Sequence, residues 1–145
     1  MIAMITLPAE IRFVRLASLT ALKVAELFEE SLQIKQSDVD FCHAFELSVS
    51  EAFTNSASYA DRSKEDNMIT ISFSSENNKL TASISDCNPP FNPDPTPVDI
   101  SSYPEKGFGL ILIRQLMDSV TYTRDNGTNR IFLTKEADKA QKQSL

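Results

Sequence analysis

Two periods alternate along the chain. Between residues 10 and 32, Phe13, Leu16, Ala17, Ala21, Val24, Leu27, Phe28 and Leu32 recur at spacings near three and four. That period predicts an amphipathic helix. A second helix is expected from about Asp38 to Ala60, with Ser37 as its N-cap and acidic residues in its first turn. Its apolar face would carry Phe41, Phe45, Val49, Ala52, Phe53 and Ala57. Elsewhere the period drops to two. "MITISFS" puts Ile69, Ile71 and Phe73 on one side, and "LTASISD" does the same with Leu80, Ala82 and Ile84. With "SENNK" between them they predict a β-hairpin buried on one face. "VTYTR" and "RIFLTK" predict a second hairpin, turned by Asn126-Gly127. The opening "IAMITL", closed by Pro8, reads as an edge strand.

Residues 87–106 hold six of the seven prolines, which argues against a helix or central strand there. A loop of that length inside a compact domain is commonly a lid or a disordered segment. Helical spacing returns in "GLILIRQLMDSV". The resulting order, β-α-α-β-β-loop-α-β-β, predicts an α+β two-layer sandwich. Its sheet would be mixed but mostly antiparallel, with the helices on one face. A single domain over 1–135 is expected, followed by a polar, frayed tail at 136–145.

Composition narrows the partners. The 145 residues carry a net charge of -6, which disfavours a nucleic-acid backbone as partner. No apolar run approaches a membrane span, and the N-terminus lacks the layout of a signal peptide, so a cytoplasmic protein without membrane contact is expected. Cys42 and Cys87 form no CxxC pair, and with His43 they lack zinc spacing. Free thiols in a reducing compartment are expected.

Three small constellations carry candidate chemistry. Glu51 and Asn55 are four residues apart, on one stripe bordering the apolar face of the second helix. A solvated helix border would look the same. The functional alternative is a carboxylate able to act as a general base beside an amide oxygen suited to Mg²⁺. Asp86 ends a half-apolar strand and opens onto the proline-rich loop. It could accept a hydrogen bond from a ligand amine, or simply start a turn. "KGFGLILIR" places Gly107 and Gly109, two of only three glycines, where the loop becomes a helix. Close backbone approach, free N–H groups and the neighbouring Lys106 would suit a phosphate; a hinge before a helix is the plainer account.

Taken in order, these pieces resemble the Bergerat-fold ATPases, the superfamily of gyrase-type, chaperone-type and histidine-kinase ATP-binding domains. The matching segments are "SEAFTNSASYA", "DCNPPFNP", "GFGLILIRQLMDSV" and "GTNRIFLTK". The short single-domain form is similar to bacterial anti-sigma factor serine/threonine kinases of the sporulation and stress-response type. The resemblance implies ATP and Mg²⁺ as cofactors, with Asn55 as the metal ligand and Glu51 as the base for a partner's Ser or Thr. Asp86 would recognise the adenine amino group, and Thr128 would supply a hydroxyl near it. Gly107, Phe108, Gly109 and Leu110 would pack against the phosphates beside Lys106, and 87–106 would be the lid. The implied partners are a STAS-type anti-anti-sigma protein and a sigma factor, and the family also suggests a homodimer. The chain departs from the family pattern at Asn88, where Asp-x-Gly has glycine, and at Tyr59, where histidine is usual. It also has no arginine between the glycines. Among non-glycine residues asparagine best tolerates the left-handed backbone, so the path would survive there at some cost or with a shifted loop, and Asn88 is expected among the cofactor-binding residues. These departures leave open a partner-switch binding module without kinase activity.

Overall fold

A computed structural model describes residues 1–34, 39–60, 67–89 and 106–137. The strands are β1 (Ala3–Pro8), β2 (Met68–Glu76), β3 (Lys79–Asp86), β4 (Ser119–Asp125) and β5 (Thr128–Glu136). The helices are α1 (Val14–Ser31), entered through a 3₁₀ turn at Ile11–Phe13, α2 (Val39–Ser58) and α3 (Lys106–Leu116). The architecture is the expected α+β sandwich. The sheet runs β1-β2-β3-β5-β4, and every pairing is antiparallel, so it is not mixed.

The period-two pattern explains the sheet's two faces. Ile71 pairs with Ile84, and Ile84 with Ile131; Phe73 pairs with Ala82, and Ala82 with Leu133. All of these are buried, forming one apolar surface beneath the helices. The opposite face carries hydroxyls that bond across strands. Thr6 pairs with Thr70 at 3.0 Å, Thr81 with Thr134 at 2.9 Å, and Ser72 with Ser83. Such pairs satisfy side chains on a half-exposed sheet surface.

Helix α2 lies in the middle of the helical layer. Its predicted apolar residues Phe41, Phe45, Val49, Ala52, Phe53 and Ala57 are all buried. Phe41 bridges the helices, with ring centroids 6.0 Å from Phe28 on α1 and 5.2 Å from Phe45. Cys42 donates to the buried Glu29 of α1 at 3.1 Å, which accounts for a carboxylate on that helix's inner face. Cys42 and Cys87 are both free thiols.

The turns follow local chemistry. Asn126 and Gly127 both take positive φ, 50° and 80°, as a two-residue hairpin turn twisted with its strands requires. Asn77 does the same at 56° in the β2–β3 turn. Beyond the expected domain end at 135, β5 continues through Glu136, and Ala137 is buried. The proposed lid falls almost wholly on 90–105, outside the described residues, as does the tail from 138. Among the described residues no helix is long and apolar enough to cross a membrane.

Candidate functional site

The edge of α2 that faces α3 carries Glu51 and Asn55, both half-buried. Heptad-like packing of Phe45, Val49, Ala52 and Phe53 against the core leaves this stripe at the border between helix and cleft. Gly109, in the opening turns of α3, is pressed against it. A Cβ on Gly109 would lie 2.7 Å from Glu51 Oε2 and 3.7 Å from Asn55 Nδ2. Only a glycine lets the α3 backbone lie this close to the Glu51 carboxylate without moving it. The first turn of α3 (Lys106, Gly107, Phe108, Gly109) has N–H groups without intrahelical acceptors, the feature that suits a helix start to anions. Two constellations separated by more than fifty residues in sequence thus form one place.

Asp86 completes it from the sheet. Leu80, Ala82 and Ile84 point into the core, and alternation puts Asp86 on the same face. The residue is 5% exposed, and its carboxylate is heavily bonded. Oδ2 accepts from Ser56 Oγ of α2 at 2.7 Å. Oδ1 accepts from the Asn88 N–H at 3.0 Å and from Asn129 Nδ2 at 2.9 Å. A buried charge is tolerated when it is supplied with donors in this way.

Beside Asp86 is a small cavity of about 10 Å³, room for one water. Ala52, Ile84, Leu110 and Ile131 give it apolar walls; Asn55, Ser56, Asp86 and Asn129 make its polar side. A planar ring would enter only if a wall moved, and Leu110, one residue beyond Gly109, forms one of those walls. A wider cavity of about 730 Å³ opens past Asp86 and is bordered by Asn88, Arg124 and Thr128 among others.

The structure gathers most of the expected residues. Glu51, Asn55, Gly109, Leu110 and Asp86 converge. Thr128 lies on the rim of the wider cavity, which Asp86 also lines. It is the next residue, Asn129, that bonds the carboxylate. Ile131 and Leu133 are buried on the inner face, so the period of β5 places Asn129 there and turns Thr128 away. That alternation was the signal by which Asn129 could have been found. Ser56, Tyr122 and Arg124 were likewise absent from the expectation. Lys106, Gly107 and Phe108 contribute backbone to the start of α3, and their side chains lie outside the described residues. Tyr59 is 46% exposed at the end of α2 and lines neither cavity.

Asn88 corrects one expectation. Among the described residues positive φ occurs only at Gln33, Asn77, Asn126 and Gly127, so Asn88 does not take the left-handed backbone. Instead its side chain reaches α2, donating from Nδ2 to the Ser56 carbonyl at 2.8 Å. Its Oδ1 is buried and finds no hydrogen-bond partner among the described residues.

The donor set can be tested against the implied cofactors. A buried carboxylate above apolar walls, with a spare acceptor at Oδ2, fits the amine edge of a base. The space over Gly109 is taken by the Glu51 carboxylate, so what the start of α3 offers a phosphate is its backbone N–H groups. Among the described residues no group of three or more His, Cys, Asp or Glu could hold a metal. Mg²⁺ would therefore depend on Asn55 together with nucleotide phosphates and water, an arrangement usual for this ion.

Comparison with known proteins identifies the family of the fold. Residues 7–135 match the histidine kinase-like ATPase domain. The serine-protein kinase RsbW of Listeria innocua serovar 6a is 32% identical over 104 residues, covering 66% of each chain. The protein of the same name from Listeria monocytogenes serovar 1/2a is 33% identical over the same length and coverage. The match thus spans a little under two thirds of these relatives.

Proposed function

Because the chain belongs to the histidine kinase-like ATPase domain family, we propose that it is an ATP-dependent serine/threonine protein kinase and anti-sigma factor. Its substrate would be a hydroxyl of a STAS-type anti-anti-sigma protein, and a sigma factor would be its second partner. The observation that supports this reading most is the meeting of Glu51, Asn55 and Gly109 beside the buried Asp86.

Bound Mg-ATP would supply the transferable phosphoryl group and the charge neutralisation on which such transfer rests. The chain's own residues have separable tasks. Asp86 accepts from the base at Oδ2. Asn55 holds the metal through its amide oxygen. The α3 backbone cradles the phosphates. Glu51, whose carboxylate lies over Gly109, takes the proton of the incoming Ser or Thr hydroxyl at a carboxylate oxygen. A homodimer is part of the same proposal; exposed Leu16, Leu19 and Leu27 on α1 and Met4 on β1 offer it surface.

A second reading, a partner-switch module without kinase activity, is favoured by one observation. The cavity beside Asp86 is only about 10 Å³, with Asn88 tied to Ser56 next to it. Calorimetry separates the two. Millimolar ATP should bind with Mg²⁺, and Asn55→Ala should lose the Mg²⁺ dependence. Glu51→Ala should keep binding yet lose transfer to the STAS acceptor. No binding by the wild-type chain would discard the kinase reading, and retained transfer by Glu51→Ala would remove that residue from the role.

A further inference from the structure

We infer that Asn129 is a positioning residue that leaves Asp86 with one open acceptor site, so that the pocket takes a 6-aminopurine and rejects a 6-oxopurine. The inference rests on the nucleotide-binding reading above. It concerns what enforces the choice of base.

A carboxylate has about four lone-pair sites, two on each oxygen. At Asp86 both sites of Oδ1 are taken, by the Asn88 N–H and by Asn129 Nδ2. Ser56 Oγ takes one site of Oδ2. One site remains, on a residue that is 5% exposed and lines the small cavity. It can accept an N–H from an exocyclic amine. A carbonyl oxygen in the same place would face a carboxylate with no hydrogen between them.

This selectivity needs the carboxylate plane to be fixed, and Asn129 is built to fix it. The residue is 1% exposed. Its Oδ1 accepts from Tyr122 Oη at 2.6 Å and from Arg124 Nη1 at 2.7 Å, so the amide cannot turn over without facing two donors with its own N–H groups. With that end anchored, Nδ2 is directed at Asp86 Oδ1 at 2.9 Å and at the Asn88 carbonyl at 2.7 Å. Arg124 Nη1 also reaches the Asn88 carbonyl, at 2.9 Å. Strand register supports the arrangement, since Asn129 is the pairing partner of both Asp86 and Arg124. A cation on β4 thereby orients a carboxylate on β3 through one amide, with no direct ion pair. Loss of Nδ2 frees a lone pair on Oδ1 and lets the carboxylate rotate about its Cβ–Cγ bond. The remaining acceptor then has no defined direction.

The test uses the full chain, with ATP, inosine triphosphate (a 6-oxopurine) and N6,N6-dimethyl-ATP measured by calorimetry. Wild type should bind ATP at least about 100-fold more tightly than either analogue. Asn129→Ala should shrink the ATP-to-inosine gap by about tenfold, the size expected for one hydrogen bond to a charged group. Tyr122→Phe, which removes a single donor to Asn129 and spares the fold, should shrink it about threefold. A purely structural Asn129 would weaken all three nucleotides together and leave the ratio untouched, which would overturn the inference. Wild type binding ATP and inosine triphosphate equally would also overturn it while leaving the nucleotide-binding reading intact. Failure to bind any nucleotide would remove both.

Discussion

Gly109→Ala places one methyl group between α3 and the proposed base. The added Cβ would sit 2.7 Å from Glu51 Oε2, whereas ordinary contact begins near 3.4 Å. The obstacle is the far end of a flexible side chain, so the carboxylate gives way by about 0.7 Å and the helices stay in place. Asn55 Nδ2 would be 3.7 Å from the new atom, an undisturbed distance. Alanine is also the better helix former, by up to about 1 kcal/mol in a helix interior and less in the opening turns. Stability should therefore hold or rise slightly while catalysis suffers. Displacing a reacting group by somewhat under an ångström costs on the order of 10- to 100-fold in rate. The assay is phosphoryl transfer from ATP to a STAS acceptor, run beside a thermal melt and ATP calorimetry. A Glu51→Gln, Gly109→Ala double variant should be no slower than Glu51→Gln alone, because both act through the same carboxylate. A folded Gly109→Ala protein with undiminished transfer would refute the placement of Glu51 at the reacting hydroxyl.

Two further variants probe the scaffold away from this contact. Phe45→Ala empties a fully buried site on α2 beside the Phe41 ring, and should cost about 3–5 kcal/mol in urea unfolding. Gly127→Ala meets no neighbouring atom but must hold a φ of 80°. It should cost about 1 kcal/mol and leave ATP affinity unchanged, which separates turn strain from site damage.

The readable parts of this fold are those set by neighbouring residues. The buried face of α2, the two hairpins and the Asn126-Gly127 turn follow from spacing and backbone preference alone. Asp86 was findable for the same reason, since the strand's alternation carries it to the inner face. Asn129 needed the same rule applied to β5, where the threonine of "GTNR" drew attention and its inward-facing neighbour was passed over. Asn88 was legible as a departure but not as a solution. Its tie to the Ser56 carbonyl spans 32 residues, and no local pattern encodes it. The insertion of β5 between β3 and β4 was equally hidden, because two adjacent hairpins can join a sheet in more than one order.

That insertion has a temporal consequence. The contact between Asp86 and Asn129 joins positions 43 residues apart, and β5 is synthesised after every other described element. Until it docks, β3 presents an unpaired edge, and Asp86 lacks one of its three donors. Nucleotide therefore meets an incomplete base pocket on the emerging polypeptide. Pairing across that separation carries a loop-closure cost that slows formation. The base pocket is accordingly among the late events of folding, and nucleotide added to a refolding mixture should leave the folding rate unchanged and slow unfolding only.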